Sequence, residues 1–123
     1  MHFFLLLSDA ATIRPALERH EHTCHLPEEL PDAPPPETLG DPAVLLPLLS
    51  KKQWNLVTTN ADLVRDLYEK KSEFAGSIVL LLSDAADPID RLFDRYKRLS
   101  PRRLYTVTGS RVKIRQLPGG HEA

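Results

Sequence analysis

Three largely apolar runs, His2–Leu7, Trp54–Thr59 and Ser77–Leu82, each meet an Asp or Asn within two residues and then give way to apolar residues at helical spacing. Strands that read as continuous apolar stretches are those covered on both faces. Strand and helix in alternation therefore predict an α/β domain, with a mainly parallel sheet between two layers of helices. The first helix is expected after Thr12, with Ile13, Ala16, Leu17 and His20 on one face and Pro15 in its first turn. A short strand is expected within 21–25. Asp41-Pro42 pairs an N-cap with a proline at the first helical position, followed by Val44, Leu45, Leu48 and Leu49, and Pro47 should kink or shorten that helix. Asn60 caps a helix with Leu63, Val64, Leu67 and Tyr68 inward. Asp87-Pro88 opens one with Ile89, Leu92, Phe93, Tyr96 and Leu99 at helical spacing.

The chain ends in a hairpin, with strands Leu104–Thr108 and Arg111–Leu117 joined through Gly109-Ser110. Residues 1–118 form one expected domain, and 119–123 are expected to fray. Between the second strand and the second helix, 26–40 holds five prolines and must be a loop. The heptapeptide Leu-Leu-Leu-Ser-Asp-Ala-Ala occurs at 5–11 and again at 80–86, each time as a strand end. With nothing else repeated around it, it reflects shared strand-end chemistry rather than duplication.

At 123 residues there is room for one core. No run approaches the ~18 apolar residues of a membrane span, and the opening apolar run lacks a basic leader. A lone cysteine, Cys24, excludes an internal disulfide framework and fits a reducing, cytoplasmic setting. The net charge of −1 conceals an asymmetry: residues 1–90 carry a balance of −8 and residues 91–123 a balance of +7. One region suits cations and another polyanions, although two differently charged solvated faces would look the same.

In open parallel sheets ligands bind beyond the carboxyl ends of the strands, which directs attention to Asp9, Asn60, Asp62 and Asp84. Asp9, Asp41 and Asp62, with Asn60, could converge on one edge. Carboxylates gathered there would need a hard cation, Mg²⁺ or Mn²⁺. Asp41 and Asn60 equally read as plain helix caps, and Asp62 as a charge favoured near a helix N-terminus. His20, His22, Cys24 and His25 offer four zinc-type ligands within six residues. Their spacing matches no paired motif, so chance clustering is the better account. Arg91, Arg95, Arg98, Arg102 and Arg103 flank the last helix. Arg111, Lys113 and Arg115 alternate along the last strand, opposite in facing to Val112 and Ile114. That face suits a phosphate backbone or simply water. No Gly-rich phosphate loop, nucleophile elbow or His-Glu-x-x-His helix is present.

Taken in order, these pieces resemble the PIN-domain nucleases, in particular a short bacterial PIN-like group. The resemblance runs over most of the chain. An apolar strand ends in Asp9, Gly40-Asp41 precedes a helix, and Leu56-Val57-Thr58-Thr59-Asn60-Ala61-Asp62-Leu63 resembles the family's Val-Thr-x-Asp-x-Asp-Phe strand end. The segment from Leu104 to Pro118 is similar to that group's terminal hairpin. The resemblance implies a three-layer α/β/α PIN-like fold and metal-dependent hydrolysis of RNA phosphodiesters. Asp9, Asp41 and Asp62 would ligate Mg²⁺ or Mn²⁺, Asn60 would give a neutral oxygen or orient a water, and Thr58 would support the strand end. Arg102, Arg103, Arg111, Lys113 and Arg115 would hold RNA. A toxin role with an antitoxin protein as partner follows from the wider family, and a homodimer is left open. Two departures lower the negative charge of the pocket: Asn60 stands where the group usually has an acid, and Ala10 follows Asp9 in place of a second acid. The alternative is a catalytically weakened PIN-like module that binds nucleic acid or a partner protein.

Overall fold

The computed structural model describes residues 1–7, 9–29, 38–82, 87–109 and 111–118. Its elements are β1 (His2–Leu6), α1 (Ala10–Arg19), β2 (Thr23–His25), a 3₁₀ turn (Pro27–Glu29), α2 (Pro42–Lys52), β3 (Asn55–Thr58), α3 (Ala61–Glu69), β4 (Ile78–Leu81), α4 (Asp87–Arg95), β5 (Arg103–Val107) and β6 (Val112–Gln116). The six strands form one sheet in the order β2-β1-β3-β4-β5-β6, all parallel except β6, which runs antiparallel to β5. The α/β class, the mainly parallel sheet and the terminal hairpin expected from the sequence are all present. The frayed tail, Asp84 and Ser110 of the hairpin turn lie outside the described residues.

Successive strand residues face opposite sides, and the two faces bury separate cores. Phe3, Leu5, Val57, Val79, Leu81, Tyr105 and Val107 meet Ile13 and Leu17 of α1 and Ile89, Leu92 and Phe93 of α4. Phe4, Leu56, Ile78, Leu80 and Leu104 meet Leu45, Leu46 and Leu49 of α2 and Leu63, Val64 and Leu67 of α3. Each fully buried Leu, Ile or Phe contributes about 1.5–3 kcal/mol, so both faces are needed to hold a sheet of four- and five-residue strands. The β3–α3–β4 and β4–α4–β5 connections advance the same way across the sheet on opposite faces, so they have opposite hands. One of them is therefore of the rare left-handed kind. The consequence is that α4 packs beside α1 and over the β5–β6 end.

Three boundaries differ from the sequence expectation. Helix α1 starts at Ala10 with Asp9 in the N-cap position, and Thr12 is a first-turn residue whose hydroxyl donates to Asp9 Oδ1 at 2.8 Å. Pro15 consequently sits inside the helix, as Pro47 does in α2, and both helices continue through. Each proline lies on the exposed side, as does the residue four positions earlier, so the missing hydrogen bond falls away from the core. Helix α4 stops at Arg95, short of Leu99. Leu99 is still buried, while Ser100 donates its N–H to the Tyr105 hydroxyl at 2.8 Å and Arg102 takes a positive φ of 60° to enter β5.

Candidate functional site

From β1 the chain goes through α1 to β2, on one side of β1. From β3 it goes through α3 to β4, on the other side. Helix α1 covers one face and α3 the opposite one. The two loops leaving β1 and β3 therefore part company at the topological switch point of the sheet, where open α/β sheets have their ligand crevice. Leu6 and Thr58 are paired at the carboxyl ends of these strands. Asp9 follows three residues after Leu6, and Asn60 and Asp62 follow two and four residues after Thr58. The crevice is thus flanked by three of the residues singled out in the sequence.

Thr58 is fully buried and bridges the two strand ends. Its hydroxyl donates to the Leu6 carbonyl at 2.8 Å and accepts the Asn60 N–H at 3.1 Å. Asn60 caps α3, its Oδ1 accepting the Leu63 N–H at 3.1 Å. Asp9 heads α1, and among the described residues its side chain accepts the Thr12 hydroxyl. Asp62, in the first turn of α3, is 75% exposed and pairs with Arg65 at 2.6 Å. Gly40 comes close to this edge: a Cβ built on it would lie 3.8 Å from Asn60 Nδ2. The Asp41 carboxylate, next to Gly40, has two partners of its own. It accepts the Ala43 N–H at 3.0 Å as the cap of α2, and it lies 3.9 Å from the ammonium of Lys70, beyond the far end of α3.

Among the described residues no three His, Cys, Asp or Glu side chains group so as to hold a metal ion. Asp9 and Asp62 are two hard carboxylates on the loops leaving β1 and β3 at the same edge of the sheet, Asp62 already paired with Arg65. Mg²⁺ is commonly bound by one or two carboxylates, with waters and substrate phosphate completing its shell. The His-rich segment disperses. His20 pairs with Asp90 at 3.0 Å, while His22 and Cys24 are buried on the α1/α4 side. His25 stacks on Trp54 at 3.8 Å between ring centres and bonds to His2 at 2.9 Å. Burial pushes the Cys24 thiol up to about 11 and lowers His22 to about 4, so neither is an activated group at neutral pH.

The basic residues also part. Arg102 and Arg103 stand where β5 begins, and Arg115 pairs with Leu104, so all three lie toward the amino edge, opposite Asp9 and Asn60. The Arg115 guanidinium is 4.3 Å above the Tyr68 ring of α3. Lys113 pairs with Thr106 and shares the facing of Arg115, whereas Arg111 precedes β6 at the carboxyl edge. Arg91 and Arg95, four apart on α4, face Arg111 across a cavity of about 440 Å³ that also meets Val107, Val112 and Asp94. Their spacing was legible as one helix face. What the sequence did not reveal is that α4 packs on the hairpin.

No protein-family model matches the chain, and no curated protein or solved structure matches it either.

Proposed function

We propose that the chain is a PIN-like domain that hydrolyses RNA phosphodiesters with a divalent cation, Mg²⁺ or Mn²⁺, at the crevice between β1 and β3. The observation that supports this reading is the switch point itself, with Asp9 on one of its loops and Asp62 on the other. Asp9 and Asp62 would ligate the cation, and Asp41 is left to cap α2. When bound, the cation neutralises phosphate charge and lowers the pKa of a water. Thr58 keeps the two strand ends in register, and Asn60 fixes the start of α3 so that Asp62 is presented at the edge. RNA is the proposed partner. A toxin role with an antitoxin comes from the resemblance alone.

A second reading, a weakened module that binds nucleic acid or a protein without cleaving, is favoured by one specific set of bonds. Asn60 Oδ1 already accepts the Leu63 N–H, and Asp41 faces Lys70. Calorimetric titration with Mn²⁺, run beside cleavage of a fluorescent single-stranded RNA, separates the two. For the nuclease, Asp9→Asn and Asp62→Asn each remove the Mn²⁺ heat and the cleavage. Mn²⁺ binding indifferent to both substitutions overturns it.

A further inference from the structure

The cavity between α4 and the β5–β6 hairpin is walled by Arg91 and Arg95 on one side and Arg111 on the other. It is floored by Pro88, Val107 and Val112. Among its described lining residues Asp94 is the one acid, so their charges sum to +2. None of the six ion pairs seen among the described side chains involves Arg91, Arg95 or Arg111. Three guanidinium groups around a concavity favour an anion, and their planar forks match phosphate oxygens two at a time.

The walls are also held in place. The Arg91 guanidinium donates to the Gly109 carbonyl, tying α4 to the hairpin tip. Thr108 and Arg111 close the tip with an N–H···O bond of 2.9 Å and a second bond from the Arg111 N–H to the Thr108 hydroxyl at 3.1 Å. The Arg111 backbone is thereby held where the chain enters β6. Arg95 lies with its guanidinium 5.5 Å from the Tyr96 ring.

We infer that this cavity binds one nucleotide unit, its phosphate between Arg95 and Arg111 and its apolar ring face against Val107 and Val112. The volume of about 440 Å³ falls in the range of small-ligand sites, roughly 300–1,000 Å³. The apolar floor suits a base or ribose better than a bare phosphate ion. Val107 and Val112 pair at the carboxyl end of β5, the edge that also carries Asp9 and Asp62. At about 4.8 Å per strand, the cavity is roughly 10 Å along that edge from β3. The inference rests on the reading of RNA as ligand for the strand case, and a free mononucleotide is the other source of the same chemistry. It needs no cation and no cleavage.

The test is fluorescence anisotropy of a labelled single-stranded RNA 10-mer in EDTA, with AMP as a competing probe, for the wild type, Arg95→Ala, Arg111→Ala and the surface control Lys51→Ala. Each cavity substitution is expected to weaken binding about tenfold and to reduce the slope of log K against log salt by about 1, while Lys51→Ala leaves both unchanged. Arg95→Lys should restore the slope and only part of the affinity, which separates loss of the fork from misfolding. Competition by AMP assigns a mononucleotide site; RNA binding that AMP does not displace assigns a strand site, and both support the inference. Binding of either probe that is indifferent to Arg95→Ala and Arg111→Ala overturns it, leaving the hydrolysis reading to the Mn²⁺ experiment.

Discussion

The Thr58 hydroxyl donates to the carbonyl of Leu6 at 2.8 Å and so ties together the last paired residues of β3 and β1 at their carboxyl ends. A matching device works at the opposite edge. Asn55 donates to the His2 carbonyl at 3.0 Å and accepts the Ser77 N–H at 2.8 Å, linking the amino ends of β1, β3 and β4. A four-residue strand such as β3 has few ladder bonds with which to hold its register. Side-chain bridges at both ends, the one at Thr58 buried, fix it and, with it, the relative placement of Asp9 and Asn60.

Thr58→Val tests that bridge. The substitution keeps the shape and removes the hydroxyl, leaving the Asn60 N–H without its acceptor and the Leu6 carbonyl without its donor. The expected loss is about 1–3 kcal/mol of unfolding free energy in urea, with Thr58→Ser losing clearly less because it retains both bonds. If both variants lose the same amount, lost packing and not the hydroxyl explains the effect.

Stability should fall on mild acidification because of His22. Burial, followed by the nearby amino terminus, His20 and Arg98, lowers its pKa to about 4 from an ordinary 6.5. Its Nε2 is buried without a hydrogen-bond partner among the described residues. The unfolded chain takes up this proton near pH 6.5, while the folded chain resists until about pH 4. The folded state therefore loses stability as pH drops through that window and is unaffected above it. Urea midpoints measured from pH 7.5 to 4.5 should decline for the wild type, and His22→Leu should flatten the decline.

Arg115 is expected to serve stability rather than RNA. Its guanidinium lies on the Tyr68 ring, and the Tyr68 hydroxyl donates to the Gln116 carbonyl at 2.9 Å, so α3 and β6 are clasped together. Arg115→Ala should cost about 0.5–1 kcal/mol and leave the salt slope of RNA binding as in the wild type. A slope reduced as much as in Arg111→Ala would show that the amino edge also holds the strand.

Much of this fold was legible in the chain because its signals are local. Apolar runs such as Ile78–Leu81 can only be strands covered on both sides, and Asp41 and Asn60 carry their capping chemistry in their own side chains. The start of α1 was misjudged because Asp9 and Thr12 are both good N-cap residues, and only the bond between them tells which one heads the helix. Contacts between distant elements were not legible. That Lys70 comes within 3.9 Å of the Asp41 carboxylate, and that α4 crosses to the hairpin and lines up Arg91 and Arg95 with Arg111, depend on which face each helix covers. No periodicity records that choice.

The most informative single substitution is Asn60→Asp. Asn60 Oδ1 accepts the Leu63 N–H, and an aspartate oxygen does the same with about equal capping strength, so the unfolding free energy should change by no more than a few tenths of a kcal/mol. The added charge would stand beside Asp62 at the mouth of the crevice and repel it modestly, unless a cation sits between them. For the hydrolysis reading, Mn²⁺ affinity should rise, because an amide oxygen brings no formal charge to offset the dehydration of the ion and a carboxylate does. Cleavage of single-stranded RNA should rise with it. Calorimetry and cleavage measured on this variant, beside Asn60→Ala as the capping control at a cost of about 1 kcal/mol, give the answer. Unchanged Mn²⁺ affinity with intact stability would make Asn60 a cap alone and favour the module that binds without cutting.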